Sequence, residues 1–251
     1  MTLIISLHSF RGGTGKSNVT ANTATMLVQQ GYRVGVFDTD IQSPGIHVIF
    51  NLPEDKVKFT LNDYLWGHCA IEDAAYTVDL PGATGNGQLY LVPSSIKAND
   101  IARVLRDRYD ANALNDGFRD LIAALNLDYL LIDTHPGLNE ETLLSIAISD
   151  ILVVVLRPDQ QDFQGTHVTV DVARRLKVPD IFLVVNKVPP DYDFEDVKRK
   201  VEHAYNAPVA TLLPLSLDVA HVASSQVFCL QDPQHAFSRG VRELVGCLVQ
   251  A

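Results

Sequence analysis

The stretch Leu3–Gly31, LIISLHSFRGGTGKSNVTANTATMLVQQG, decides how the rest of the chain is read. Thr2 to Leu7 is an apolar run of strand length, and Ser17 to Gln30 carries helical spacing. Between them lie Gly12, Gly13, Thr14 and Gly15, followed by Lys16, Ser17 and Asn18. A strand that passes through a glycine-rich turn into a helix is what a phosphate chain requires. Backbone N–H groups converge on its oxygens, the helix N-terminus adds positive potential, and the glycines let the main chain come close. In such a loop Lys16 reaches the β- and γ-phosphates of a nucleotide, and the Ser17 hydroxyl ligates Mg2+. The common pattern G-x-x-x-x-G-K-[ST] fails at its first position, which is Phe10. What fits is x-G-G-x-G-K-[ST], with the basic Arg11 ahead of the paired glycines.

Outward from the loop, apolar runs alternate with helix-like stretches. Arg33–Phe37, Leu89–Val92, Tyr129–Ile132, Ile151–Leu156, Ile181–Val185 and Val209–Leu212 extend the strand set begun by Thr2–Leu7. Most are continuously hydrophobic, as strands are when helices cover both faces of a parallel sheet. Helices are predicted at Ala98–Asp107, Ala113–Leu125, Glu140–Ile148, Gln161–Leu176 and Phe194–Tyr205, with a helical insertion around Leu61–Ala75. This βαβ series predicts an α/β, doubly wound, mostly parallel sheet with helices on both faces. Asp79–Gly87, rich in Gly and Pro, reads as a surface excursion. No internal repeat or second domain is visible, so residues 1–251 are expected to form one P-loop domain.

Composition narrows the classes. With 251 residues, 47% hydrophobic and 20% charged, the chain can bury a core without disulfides or a structural metal. Cys69, Cys229 and Cys247 have no C-x-x-C spacing, which argues against a zinc site, an iron–sulfur cluster within one chain and a disulfide framework. No apolar run approaches a bilayer span, and the N-terminus lacks the basic region of a secretory signal, so a cytoplasmic protein is expected. A formal net charge of -10 repels nucleic acid at long range while leaving local basic patches open.

With its loop, the chain resembles the ParA/MinD family of deviant Walker A ATPases over nearly its whole length. Residues 37–45, FDTDIQSPG, look like that family's D-x-D segment; residues 129–139, YLLIDTHPGLN, look like its Walker B strand and switch region. Residues 183–187, LVVNK, and 212–226, LLPLSLDVAHVASSQ, look like its adenine-side loops. The resemblance implies ATP and Mg2+ as cofactors, a homodimer with ATP between the subunits, slow hydrolysis without an activating partner, and a protein adaptor. It implies Lys16 as the phosphate-binding lysine and Asp133 as the acid that holds Mg2+ with Ser17. It also implies that one of Asp38 and Asp40 handles the attacking water, with Asp38 favoured, and that the other supports the metal shell or the dimer contact. Asn186 and Pro214 lie at the adenine, and Gly137 is a switch glycine. Most members carry lysine where this chain has Arg11, which keeps the charge needed to reach the partner's phosphates and adds a forked donor set.

Other features read as structural. His135 is expected to be a packed loop residue. Arg174, Arg175 and Lys177, then Lys198, Arg199 and Lys200, close helices where cations favour the macrodipole; nonspecific DNA binding through them is the alternative. Phe237, Val241, Leu244, Val245 and Leu248 have helical spacing and are expected in the core, so membrane recruitment by this segment is not expected. The leading function is thus an ATPase that positions or partitions a cargo; the alternative is a metabolic enzyme on the same scaffold, synthetase-like. Synthetases of the superfamily lack the basic residue before the paired glycines, so Arg11 favours the first. An iron–sulfur carrier is disfavoured by the missing C-x-x-C. A scaffold without hydrolysis is disfavoured because Lys16, Ser17, Asp38 and Asp133 are all present.

Overall fold

The structure, a computed structural model, describes residues 2–106, 111–222 and 225–251. In chain order its elements are β1 (Leu3–His8), α1 (Lys16–Gln29), β2 (Arg33–Asp38), α2 (Ile46–Ile49), α3 (Leu61–Leu65), β3 (Tyr76–Val78) and β4 (Gln88–Val92). Next come α4 (Ala98–Arg106), α5 (Ala111–Leu125), β5 (Tyr129–Asp133), α6 (Glu140–Ile148), β6 (Ile151–Leu156) and α7 (Gln160–Arg175). β7 (Asp180–Val188), α8 (Phe194–Tyr205), β8 (Val209–Pro214), α9 (Leu217–Val222), α10 (Phe228–Gln231) and α11 (Ala236–Gln250) complete the chain. The strands form one sheet in the order β3-β4-β2-β5-β1-β6-β7-β8. Every pairing is parallel except β3 with β4.

The apolar strands are buried on both faces. In β6, Ile151, Val153 and Val155 join the core under α1 and α11, while Leu152, Val154 and Leu156 join a second core with Val170 and Ala173 of α7 and Val201 and Tyr205 of α8. Leu130 and Ile132 of β5 face a third cluster with Leu114, Phe118 and Leu121 of α5. Alternation of side chains along a strand therefore feeds opposite cores, which is why these segments are hydrophobic at every position. α1 is buried from Val19 to Val28 although it is rich in Thr and Asn. Asn22 and Thr25 donate to the carbonyls four residues back, each at 2.8 Å, while the Thr23 hydroxyl is buried without a hydrogen-bond partner.

All seven expected strands are present, and the structure adds β3 just after the region read as a helical insertion. Three residues are too few for periodicity to reveal, and β3 exists because β4 offers an edge, with Tyr76 opposite Leu91 and Val78 opposite Leu89. The helical insertion around Leu61–Ala75 is shorter than expected: α3 ends at Leu65 and a 3-10 turn covers Glu72–Ala74. Asp79–Gly87 carries no regular element and is largely exposed. The predicted helix from Ala98 is α4, and its last expected residue, Asp107, lies outside the described residues, as do Ala223 and Ser224 of the last loop. The one-turn helices α2, α9 and α10 had no periodic signal to announce them.

Phe237, Val241, Leu244, Val245 and Leu248 are at most 1% exposed, so the apolar stripe of α11 is consumed by the core. No helix among the described residues is long and apolar enough to cross a membrane. Leu244→Ala should destabilise the fold by about 3 kcal/mol through lost burial plus a cavity. Urea unfolding would read this as a lower midpoint with unchanged slope.

Candidate functional site

The site forms where β1 ends, at the carboxyl edge of the sheet, the edge at which ligands bind in doubly wound folds. Register brings two carboxylates together: β5 lies between β1 and β2, with Asp133 paired to Leu7 on one side and to Asp38 on the other. Gly15 caps α1 with φ 92°, a left-handed conformation that suits glycine, and a Cβ there would fall 2.4 Å from Asn186 Nδ2. The first turn of α1 has no acidic residue of its own and its N-cap makes no side-chain hydrogen bond, so its N–H groups face the loop.

Asp133, 1% exposed, gathers the donors of α1. Lys16 Nζ lies 2.7 Å from Oδ1, Thr20 Oγ1 donates to the same oxygen at 2.9 Å, and Ser17 Oγ donates to Oδ2 at 2.6 Å. The Asp133 carbonyl accepts from Thr39 N and Thr39 Oγ1, each at 3.0 Å, which ties the exit of β2 to the end of β5. Asp38, fully buried, accepts from Asp40 N and Gly45 N, each at 3.1 Å. Burial first, and the neighbouring Asp133 charge second, push the Asp38 carboxyl up to about 8.

A cavity of about 430 Å3 is lined by Ser9, Gly12 to Asn18, Asp40, Ser43, Gly45, Val48, Ile49, His135 and Pro136. The carboxylate facing this cavity is therefore Asp40, while Asp38 and Asp133 lie beneath. Asp40 Oδ1 accepts from Ser43 N at 3.2 Å, and burial raises its carboxyl above the usual range. His135 is a half-buried loop residue, its side chain 26% exposed with Nδ1 2.6 Å from Pro136 O, and it also lines the cavity, with Nε2 3.8 Å from Asp40 Oδ1. Tertiary placement decides this, because Thr134 N donates to Leu7 O at 3.2 Å and Gly137 N to Ser9 O at 3.1 Å, hanging the segment over the loop. A larger cavity, about 570 Å3, lies between α2, β3 and α10 and contains none of the loop's donors.

From the far side, β7 holds the loop. Asn186 Nδ2 donates to Thr14 O at 2.7 Å, and Lys187 Nζ donates to Gly13 O at 2.8 Å. Pro214 is the last residue of β8, in register with Val188, and does not line the cavity. The Thr14 hydroxyl is buried without a hydrogen-bond partner. His8 Nδ1 lies 2.8 Å from Thr134 Oγ1, and burial, with Lys16 nearby, pushes its pKa down to about 3, so the ring is neutral. Sequence reading passed over Thr20 and Lys187; the spacing of Thr20, one helical turn after Lys16, was the available signal.

The basic clusters are partly committed. Arg174 donates to the carbonyls of Tyr205 and Asn206, and Arg199 and Lys200 both pair with Asp196.

The family profile described as "ParA: NUBPL iron-transfer P-loop NTPase" matches residues 1–248. The chain belongs to this family. It is 27% identical to the flagellum site-determining protein YlxH of Helicobacter pylori, over 99% of this chain and 82% of that protein. It is 30% identical to an iron-sulfur cluster carrier protein of Methanococcus maripaludis, over 72% of this chain but 59% of the carrier. Its fold superimposes on the septum site-determining protein MinD of Pyrococcus horikoshii, complexed with Mg-ADP, with a TM-score of 0.81 and 21% identity, covering 98% of this chain and 95% of MinD. The protein is thus a ParA/MinD-family ATPase, with the mostly parallel sheet expected from its sequence.

Asp38 gives the site a measurable pH signature. Its folded pKa lies above the ordinary 3.8, so the stability it contributes is complete below pH 3.8 and is lost as pH rises through about 8. Relative to Asp38→Asn, which does not titrate, the melting temperature of the native protein should fall by several degrees between pH 5 and about 8 and then level. A difference independent of pH would show that Asp38 is ionised throughout.

Proposed function

We propose that the chain is a nucleotide-switched dimer that positions or partitions a cargo, acting as a single P-loop unit over residues 1–251. ATP with Mg2+ seats on Gly12, Gly13, Thr14, Gly15, Lys16, Ser17 and Asn18, and two subunits close over the nucleotide. A partner protein reads the dimer, and hydrolysis, slow until that partner acts, returns it to monomers. The observation that carries this reading is the convergence of Lys16, Ser17 and Thr20 on Asp133 beneath an uncapped helix N-terminus. The orphaned Thr14 hydroxyl fits a phosphate oxygen.

The donor set also suits Mg2+, which takes hard oxygen ligands and usually keeps waters and substrate phosphates. Ser17 and Asp133 would hold it, and among the described residues no cluster of three His, Cys, Asp or Glu side chains offers a rival metal site. The bound ion supplies neutralisation of phosphate charge. Lys16 exchanges Asp133 for the β- and γ-phosphates, and Asn186 holds Thr14 while it and Pro214 border the adenine side. With its carboxyl ionised by the positive charge that a bound ion would bring, Asp38 would take the proton of the attacking water once the Asp40–Gly45 segment shifts; Asp40 and His135 face the phosphates. Arg11 reaches the partner subunit's phosphates.

A protein partner is favoured over DNA because Arg174, Arg199 and Lys200 already have partners, and over membrane because the apolar stripe of α11 is buried. The cytoplasm is the proposed setting, since the free cysteines suit a reducing compartment. Iron transfer, named in the family description, is the second reading; positioning is preferred because Cys229 is buried and no C-x-x-C pair is present.

Calorimetry should show ATP binding that Lys16→Ala reduces at least tenfold in a folded protein; unchanged affinity would remove the site assignment. Light scattering should show a dimer with ATP and a monomer with ADP. Asp38→Ala should keep the ATP-dependent dimer while losing phosphate release, since binding survives without water activation. A monomer with ATP at tens of micromolar protein would overturn the dimer switch.

A further inference from the structure

Phe10 and Arg11 leave β1 against the first two turns of α7. The Phe10 ring rests on the helix backbone at Gly165, where an added Cβ would fall 1.9 Å from Cδ1 and 2.3 Å from Cγ. Glycine weakens a helix interior, and here it leaves a notch that a phenylalanine fills. One turn earlier on the same face of α7, Gln161 Oε1 accepts a hydrogen bond from the Arg11 guanidinium. Consecutive loop residues are thus held by two positions of one helix, i and i+4.

That helix end is itself fixed. Asp159 accepts from Asp162 N at 3.0 Å, and Asp162 accepts from Arg157 N and Arg157 Nε at 3.1 and 3.0 Å. On the opposite rim Gly137 N donates to Ser9 O at 3.1 Å, and Ser9 Oγ donates to Arg11 O at 2.9 Å. The backbone around Arg11 is therefore held on both sides, and its guanidinium is the part left to exchange partners. Gln161 is exposed and Arg11 half-buried, so an incoming acceptor has access.

We infer that Gln161 restrains Arg11: it holds the guanidinium on its own subunit's α7 until the phosphates carried by a second subunit displace it. The inference rests on the ATP-dimer reading above. A neutral amide oxygen suits this role. Hydrogen bonds to charged acceptors are roughly twice as strong as neutral ones, so phosphate outcompetes Gln161 when it arrives and only then. A carboxylate at the same position would hold the guanidinium too firmly to release it.

Two substitutions at one exposed position test the idea with opposite signs. With ATP and Mg2+, sedimentation velocity gives the protein concentration at half-dimerisation, and calorimetry on dilute protein gives the ATP affinity of the monomer. Gln161→Ala should lower the half-dimerisation concentration about threefold, the scale of an exposed polar pair. Gln161→Glu should raise it by about as much or more. Melting temperature and monomer ATP affinity should stay unchanged in both, which separates restraint from a general structural role. If both variants shift in the same direction, or neither shifts while the native chain dimerises, Gln161 does not restrain Arg11 and the dimer reading stands. If neither the native chain nor Gln161→Ala dimerises with ATP, both readings fall; a dimer in Gln161→Ala alone supports the restraint.

Discussion

The site depends on one buried carboxylate. Asp133 sits at the end of the strand that pairs with both β1 and β2, and its side chain takes donors from Lys16, Ser17 and Thr20. A buried charge of this kind is tolerated only when it is paired and its oxygens are hydrogen-bonded. Satisfying it pins the first turn of α1 to β5, while the same residue's carbonyl pins Thr39 and with it the exit of β2. Loop, helix and switch segment are therefore referred to a common point. Loss of that carboxylate would leave the Lys16 ammonium, 5% exposed, without its partner.

A second buried carboxylate lies beside the first. Asp38 lies beside Asp133 in the sheet, and the two share a single nearby ammonium. Two buried carboxylates this close favour a proton on one of them. The Gly45 N–H bond to Asp38 ties the segment after β2 to this pair of carboxylates.

The family joins proteins of different named roles. Relatives named for site determination and for iron–sulfur carriage share this fold family, so the loop and its carboxylates do not by themselves distinguish those roles. In this chain Phe10 occupies a position where the common loop pattern has glycine, and its ring has a matching notch at Gly165.

Local chemistry made the scaffold legible in the sequence. Continuous β-branched runs, the glycine turn before Lys16 and the Asp-terminated strands follow from short-range patterns, and the sheet, α1 and the positions of Asp38 and Asp133 appear where those patterns place them. Long-range contact settled the rest. β3 needs the free edge of β4; His135 faces the cavity because Leu7 and Ser9 accept from the backbone beside it. Asp40 rather than Asp38 meets the cavity because the chain turns after β2, and Arg11 meets Gln161 across 150 residues of sequence. None of these carries a periodic signal, since each depends on which segments the sheet order brings side by side, and a single sequence encodes that order only through the folded packing.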